Sequence, residues 1–352
     1  MSCAAVLASA AKRATSGCDA TGRAAWRPWR TVPGGLALRE EHPAWGPRKL
    51  RARLQALGAE ALPARSTIGA ILSRAGRIDP QASVNATAFT RFERGTPNEM
   101  WQMDFKGHFA LGDASRCHAL TVLDDHSRYL VGLKACAGER TETVQGHLED
   151  IFRVYGLPES ILCDNGSPWS GAGGDYHTQL SVWLMLLGVR VCHGRPFHPQ
   201  TQGKDERFHR TLKADLLARR DFASLADAQP HSDAFRSLYN HQRPHQALGD
   251  AVPASRYRVS PRPWRPADPG FDYAPGAITR TVKAKGEITF QNRFFYLGAA
   301  FRAHPVALEP TATDGLYDVR FHAYRIGQID LAVPNTKAKG CYYPMAKPTA
   351  IL

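Results

Sequence analysis

Residues 101–111, WQMDFKGHFAL, read as a β-strand with one acid, Asp104, set inside an apolar pattern. An acid in that position is costly to bury unless it has a partner. Working outward, HALTVLDDHS (118–127) and RYLVGLKAC (128–136) read as two further strands. TETVQGHLEDIFRVYG (141–156) then reads as a helix with Val144, Leu148, Ile151 and Phe152 on one face. SILCDNG (160–166) is a short apolar strand running into an Asn-Gly turn. YHTQLSVWLMLLG (176–188) is a helix, VRVCHG (189–194) a strand, and HPQTQGKDERFHRTLKADLL (198–217) a loop leading into a helix. Three consecutive strands followed by alternation of helix and strand predict an α/β fold, a mixed sheet with helices on its faces.

Three acids stand at chemically useful places on that pattern. Asp104 is in the middle of the first strand, Asp164 ends the fourth strand, and Glu206 lies one turn into the later helix. In a fold of this kind the first and fourth strands can be neighbours, with the helix crossing beside them, so the three carboxylates can converge. Convergent carboxylates repel and raise one another's pKa. A hard divalent cation, Mg²⁺ or Mn²⁺, resolves the conflict. A pair of such ions suits phosphodiester cleavage by activating the attacking oxygen and stabilising the leaving one. Each acid alone has a plainer reading, a turn residue for Asp164 and a surface charge for Glu206. On a helical wheel Asp205 falls with Phe208, Leu212 and Leu216, whereas Glu206 falls with Arg210 and Lys213. We therefore expect Glu206 to be the metal ligand, Arg210 and Lys213 to meet DNA phosphates, and Asp205 to favour the helix N-terminus. Asp124 and Asp125, at a strand end, read as turn and hydrogen-bonding residues.

The flanks carry the charge. The chain has 352 residues and a formal net charge of +13, with both ends basic and the centre close to neutral. That balance favours a polyanionic partner, nucleic acid first. Residues 1–38 read as a poorly ordered basic segment. In 39–78, GPRKLRARLQALG (46–58) places Leu50, Leu54 and Leu57 on one stripe, and RSTIGAILSRAG (65–76) buries Ile68, Ile71 and Leu72 behind a Ser66 N-cap. Two short helices around a tight turn fit a helix-turn-helix that offers Arg65, Thr67, Ser73 and Arg74 to DNA. An ordinary helical hairpin leaves the same pattern. Residues 79–97 read as a linker, 98–255 as the catalytic core and 256–277 as a Pro-rich linker. Residues 278–335 alternate as short strands, with an Asp314-Gly315 hairpin turn, and read as a small SH3-like β-barrel ahead of a tail at 336–352. Seven scattered cysteines without a C-x-x-C pair argue against a disulfide framework or a zinc site. No apolar run of membrane-spanning length and no signal peptide is evident, so we expect a cytoplasmic protein, nucleoid-associated when bound to DNA.

At WQMDFKG (101–107), TVLDDHSRYLVG (121–132), YGLPESILCDNGSPW (155–169), HPQTQGKDERFHRTLKADL (198–216) and YNHQRPHQALG (239–249), the chain resembles DDE-type insertion-sequence transposases. These have an integrase core of ribonuclease-H-like fold, related to retroviral integrases. EHPAWGPRKLRARL and STIGAILSRAG extend the resemblance to the helix-turn-helix of such enzymes. The resemblance implies that Asp104, Asp164 and Glu206 are the metal-binding catalytic carboxylates. It implies two Mg²⁺ or Mn²⁺ ions and a homo-oligomer on double-stranded DNA, at terminal inverted repeats and target. It also implies 3′ end cleavage by water, then strand transfer by the freed hydroxyl. Arg243, in the RPH turn, is expected to contact DNA. The interval from Asp164 to Glu206 is longer than the family's usual one, and the N-terminal segment lacks the longer helical region usual there. A catalytically silent or truncated relative that acts only by binding DNA is the alternative.

Overall fold

The computed structural model describes residues 33–60, 62–78, 93–169, 177–193, 203–266, 271–333 and 341–344. The chain forms two compact units. One contains the N-terminal helices with Phe208–Asp221 and Ala234–Ser255; the other contains Arg91–Arg207, Phe222–Asp233 and Arg256–Leu352.

In the first unit the helices are α1 (Pro33–Glu41), α2 (Pro47–Ala56) and α3 (Arg65–Arg74). Their buried faces are Leu38, Leu50, Leu54, Ile68 and Leu72, gathered around Trp45. Helix α1 begins inside the segment expected to lack order. Pro47 opens α2, where a missing N–H costs nothing. Two sequence expectations shift by a residue or two. Leu57 lies past the end of α2 and is exposed, and Ala64 rather than Ser66 is the N-cap residue of α3.

The second unit is built on a five-stranded mixed sheet. Its strands are β1 (Trp101–Ala110), β2 (Arg116–Asp124), β3 (Leu130–Cys136), β4 (Ser160–Cys163) and β5 (Arg190–His193), in the order β3-β2-β1-β4-β5. The three consecutive strands pair antiparallel, and β1, β4 and β5 run parallel. This is the ribonuclease-H-like arrangement, and it makes the first and fourth strands neighbours. Helix α4 (Thr141–Tyr155) buries Val144, Leu148, Ile151 and Phe152, the stripe read from the sequence. Helix α5 (Gln179–Leu186) is capped by Thr178, whose hydroxyl accepts from the Ser181 N–H while Ser181 Oγ accepts from the Thr178 N–H. Its sequence, QLSVWLML, is apolar all round, as a helix buried on every side must be. Trp183 stacks on Phe152, while Val182 and Met185 join the core of the C-terminal sheet.

Helix α6 (Gly203–Leu212) continues as a π-helical turn over Lys213–Leu217, and α7 (Leu225–His241) follows. The Pro-rich stretch expected as a linker is tied to the core over residues 257–264. Tyr257 stacks on Tyr129 at 4.2 Å and donates to Asn98 Oδ1, and Arg262 donates to the carbonyls of Pro158, Leu187 and Gly188. Beyond it, β6 (Ile278–Thr281), β9 (Pro305–Pro310), β10 (Leu316–Phe321), β11 (Tyr324–Asp330) and β12 (Cys341–Pro344) form an antiparallel sheet in the order β12-β11-β10-β9-β6. β7 (Glu287–Phe290) and β8 (Arg293–Tyr296) form a separate hairpin, and Ile288, Phe295, Phe301, Phe321 and Ile329 share one core. Gly315, at positive φ, makes the β9–β10 turn read from Asp-Gly. Among the described residues no helix is long and apolar enough to cross a membrane.

Candidate active site

Strand pairing places two of the three acids. β1 and β4 run parallel with Trp101 opposite Ile161 and Gln102 opposite Leu162. Asp104 is two residues further along β1 and Asp164 is the residue after β4, so the two acids lie on neighbouring strands. Asp104 is half-buried; its Oδ1 accepts from the Phe105 N–H at 2.8 Å. Its main-chain carbonyl accepts from Thr121 Oγ1 at 3.0 Å, which ties it to β2. Burial first, and the neighbouring Asp164 carboxylate second, push the Asp104 carboxyl up to about 7. The Asp104 field also includes Glu139, which pairs with His118 Nδ1 at 2.9 Å. Neither Glu139 nor His118 carries a pattern in the sequence that would have singled it out.

Asp164 follows β4 directly, and its Oδ1 accepts from the Gly166 N–H at 2.9 Å, an Asx turn. A Cβ on Gly166 would stand 3.2–3.3 Å from both Asp164 oxygens, so only glycine leaves the carboxylate uncrowded. The Asp164 carbonyl is held by His193 Nδ1 at 2.8 Å. The pair is thus fixed at the carboxyl edge of the sheet by backbone geometry.

The adjacent acids at the start of α6 separate as the helical wheel required. Glu206 is exposed, and Asp205 is buried at 1% exposure, on the side of Phe208 and Leu212. Asp205 differs from its expected role as an acid favoured at the helix N-terminus. Its carboxyl is buried, with Oδ1 lacking a hydrogen-bond partner among the described residues. Burial, then the Asp104 and Asp125 carboxylates, push it well above the usual carboxylate range. Next to it, Lys204 forms a buried ion pair with Asp125. Asp125 also accepts from the Arg94 N–H at 2.9 Å and Gln102 Nε2 at 2.6 Å. Asp124 accepts from the Asn98 N–H and from both the N–H and hydroxyl of Ser127. Both acids of the strand end therefore hold the turn together.

The expected DNA contacts divide. Arg65, Ser73 and Arg74 on α3 are exposed and Thr67 is half-buried; Arg210 and Lys213 are exposed. Arg243 is not at a surface. It is 7% exposed in an ion pair with Asp215, donates to Thr211 Oγ1 and lies over the Tyr239 ring. A guanidinium enclosed in this way is satisfied inside the protein, which corrects the expectation that it meets DNA. Residues 171–174, GAGG, a Gly-rich loop by sequence in the interval between Asp164 and Glu206, lie outside the described residues.

The donor chemistry fits a hard divalent cation: two carboxylates stand on neighbouring strands, and burial, with the Asp164 charge second, raises the Asp104 carboxyl. Among the described residues, however, no three His, Cys, Asp or Glu side chains stand together as a metal-binding group. The structure brings Asp104 and Asp164 together and leaves Glu206 exposed on the first turn of α6.

Two integrase core domain models match residues 95–199 and 187–253, and the C-terminal domain of the IS481 family of transposases matches 277–337. The chain is 29% identical over 169 residues to the insertion element IS407 uncharacterized 31.7 kDa protein of Burkholderia multivorans, covering 47% of this chain and 58% of that protein. It is 31% identical over 145 residues to the Gag-Pro-Pol polyprotein of simian retrovirus SRV-1, covering 41% of this chain and 7% of the polyprotein. The chain thus spans little more than half the length of the insertion-element relative. A chain of the simian T-cell lymphotropic virus intasome in complex with PP2A regulatory subunit B56 gamma aligns at 12% identity. It covers 88% of this chain and 96% of its own, with a TM-score of 0.41.

Proposed function

For a chain that carries an integrase core domain followed by the C-terminal domain of IS481 family transposases, we propose the function of a DNA transposase. It cleaves the 3′ ends of an insertion sequence and joins them to target DNA in the cytoplasm. The observation that supports this reading is the parallel pairing of β1 with β4, the neighbouring strands of Asp104 and Asp164, in a stretch that matches an integrase core domain.

In this reading Asp104, Asp164 and Glu206 are the oxygen donors to two Mg²⁺ or Mn²⁺ ions. Such ions activate the attacking oxygen and stabilise the leaving one in a phosphodiester displacement. The protein's own contribution is positional. The Asx turn at Gly166 and the Thr121 bond to the Asp104 carbonyl hold the two aspartates. A cation bound there would favour the ionised form of Asp104. Arg210 and Lys213 neutralise phosphates of the end DNA, and Arg65, Thr67, Ser73 and Arg74 grip the terminal inverted repeats in a homo-oligomer.

The exposed position of Glu206 favours one second reading, a relative that binds DNA without joining it. Incubation of the protein with labelled end DNA and Mg²⁺ separates the two. The transposase reading expects joined products that vanish in Glu206→Gln while end-DNA affinity stays within about threefold. Salt-sensitive binding without joining, or full joining by Glu206→Gln, would overturn it.

A further inference from the structure

The ion pair between Lys204 and Asp125 has no part in the donor set, yet it links the two elements on which that set depends. Asp125 closes the end of β2 and is wholly buried. Three donors converge on its carboxylate: the Arg94 N–H, Gln102 Nε2 and Lys204 Nζ. Gln102 lies on β1 two residues before Asp104, on the same side of the strand by β alternation. Lys204 lies on the first turn of α6, two residues before Glu206. The Asp125 N–H further donates to the Met100 carbonyl at 2.9 Å, so the turn is also fixed to the start of β1. One carboxylate therefore joins the strand of one acid to the helix turn of another. The Lys204 side chain is 17% exposed, and its Nζ meets the Asp125 carboxylate. An ammonium held this way is engaged inward rather than offered to a DNA phosphate.

We propose that Lys204 and Asp125 are positioning residues: their ion pair clamps the first turn of α6 to the β1–β2 edge and so fixes the turn that carries Glu206 relative to the strands of Asp104 and Asp164. This rests on the reading of Glu206 as the third carboxylate. Buried pairs of this kind commonly contribute little net stability, because desolvation offsets the attraction, while they fix one arrangement over others. Removing both charges together should therefore leave the fold standing and loosen the turn. Placing a reacting group about 1 Å out of position can cost about a hundredfold in rate.

The test compares the full-length protein with Asp125→Asn/Lys204→Met and with Lys204→Arg. The double variant is expected to join end DNA about a hundredfold more slowly at saturating DNA, with end-DNA affinity within about twofold of the parent. Amide hydrogen exchange should accelerate at residues 204–208 and stay unchanged in β1, β2 and β4. Lys204→Arg, which keeps the charge, should restore most of the joining rate. Should the double variant fail to fold, Lys204→Met alone is read by the same measurements. Parental joining rate and parental exchange at 204–208 in the uncharged variant would overturn the clamp while leaving the transposase reading intact. Absence of joining by the parent protein would overturn both.

Discussion

At the scale of single residues, context decides what a carboxylate does. Asp125 and Asp205 are buried and Asp104 is half-buried, and the Asp125 carboxylate has a lysine and two further donors. Asp104 has another acid near it, and its carboxyl is raised from 3.8 to about 7. The folded protein holds a proton there that the unfolded chain would release. Stability from this group is therefore fully present below about pH 4 and is lost as pH rises through about 7. In EDTA, Asp104→Asn should stabilise the fold little at pH 4 and clearly at pH 8, by on the order of 1–4 kcal/mol, read by thermal melting at the two pH values. A shift equal at both pH values would contradict the mechanism. Arg243 makes the same point for a cation: enclosed with Asp215, it is a structural group where the RPH turn suggested a DNA contact.

At the scale of elements, termini and close approaches set the frame. Helix α4 ends at Gly156, which has φ +71°. A Cβ there would come within 2.7 Å of the Arg262 carbonyl and 2.9 Å of the Ser260 carbonyl. Both contacts are to backbone, so neither can rotate away. Gly156→Ala should cost about 1–3 kcal/mol and expose the 257–264 stretch to proteolysis, measured by urea unfolding and limited digestion. Unchanged stability would show that the stretch is not held through this contact. Helix α5 shows why a short apolar run is hard to read alone. Its two faces serve different partners, Trp183 on Phe152 and Val182 with Met185 in the C-terminal core, so no polar stripe remains to mark an outside.

At the scale of the whole molecule, the proposed function assigns the affinity to charge and the chemistry to the core. A net charge of +13, with the excess at the two ends, predicts binding to DNA that weakens steeply with salt. Arg74 is exposed on α3, so Arg74→Gln should leave melting unchanged and reduce the slope of log affinity against log salt by about 0.9. Fluorescence anisotropy across a salt series reads that slope directly. An unchanged slope would remove Arg74 from the DNA surface.

The sequence by itself determined the order of strands and helices, the stripe on α4, the Asp314-Gly315 turn and the division of Asp205 from Glu206. Each depends on a local period or on turn chemistry within a few residues. Only the tertiary structure decided that Asp125 holds Lys204, that Arg243 is enclosed by Asp215, and that the Pro-rich stretch is fastened to the core. Those outcomes depend on which distant groups share a buried space. Burial turns a polar side chain into one that must find its partner inside the protein, whatever its neighbours in the chain suggest.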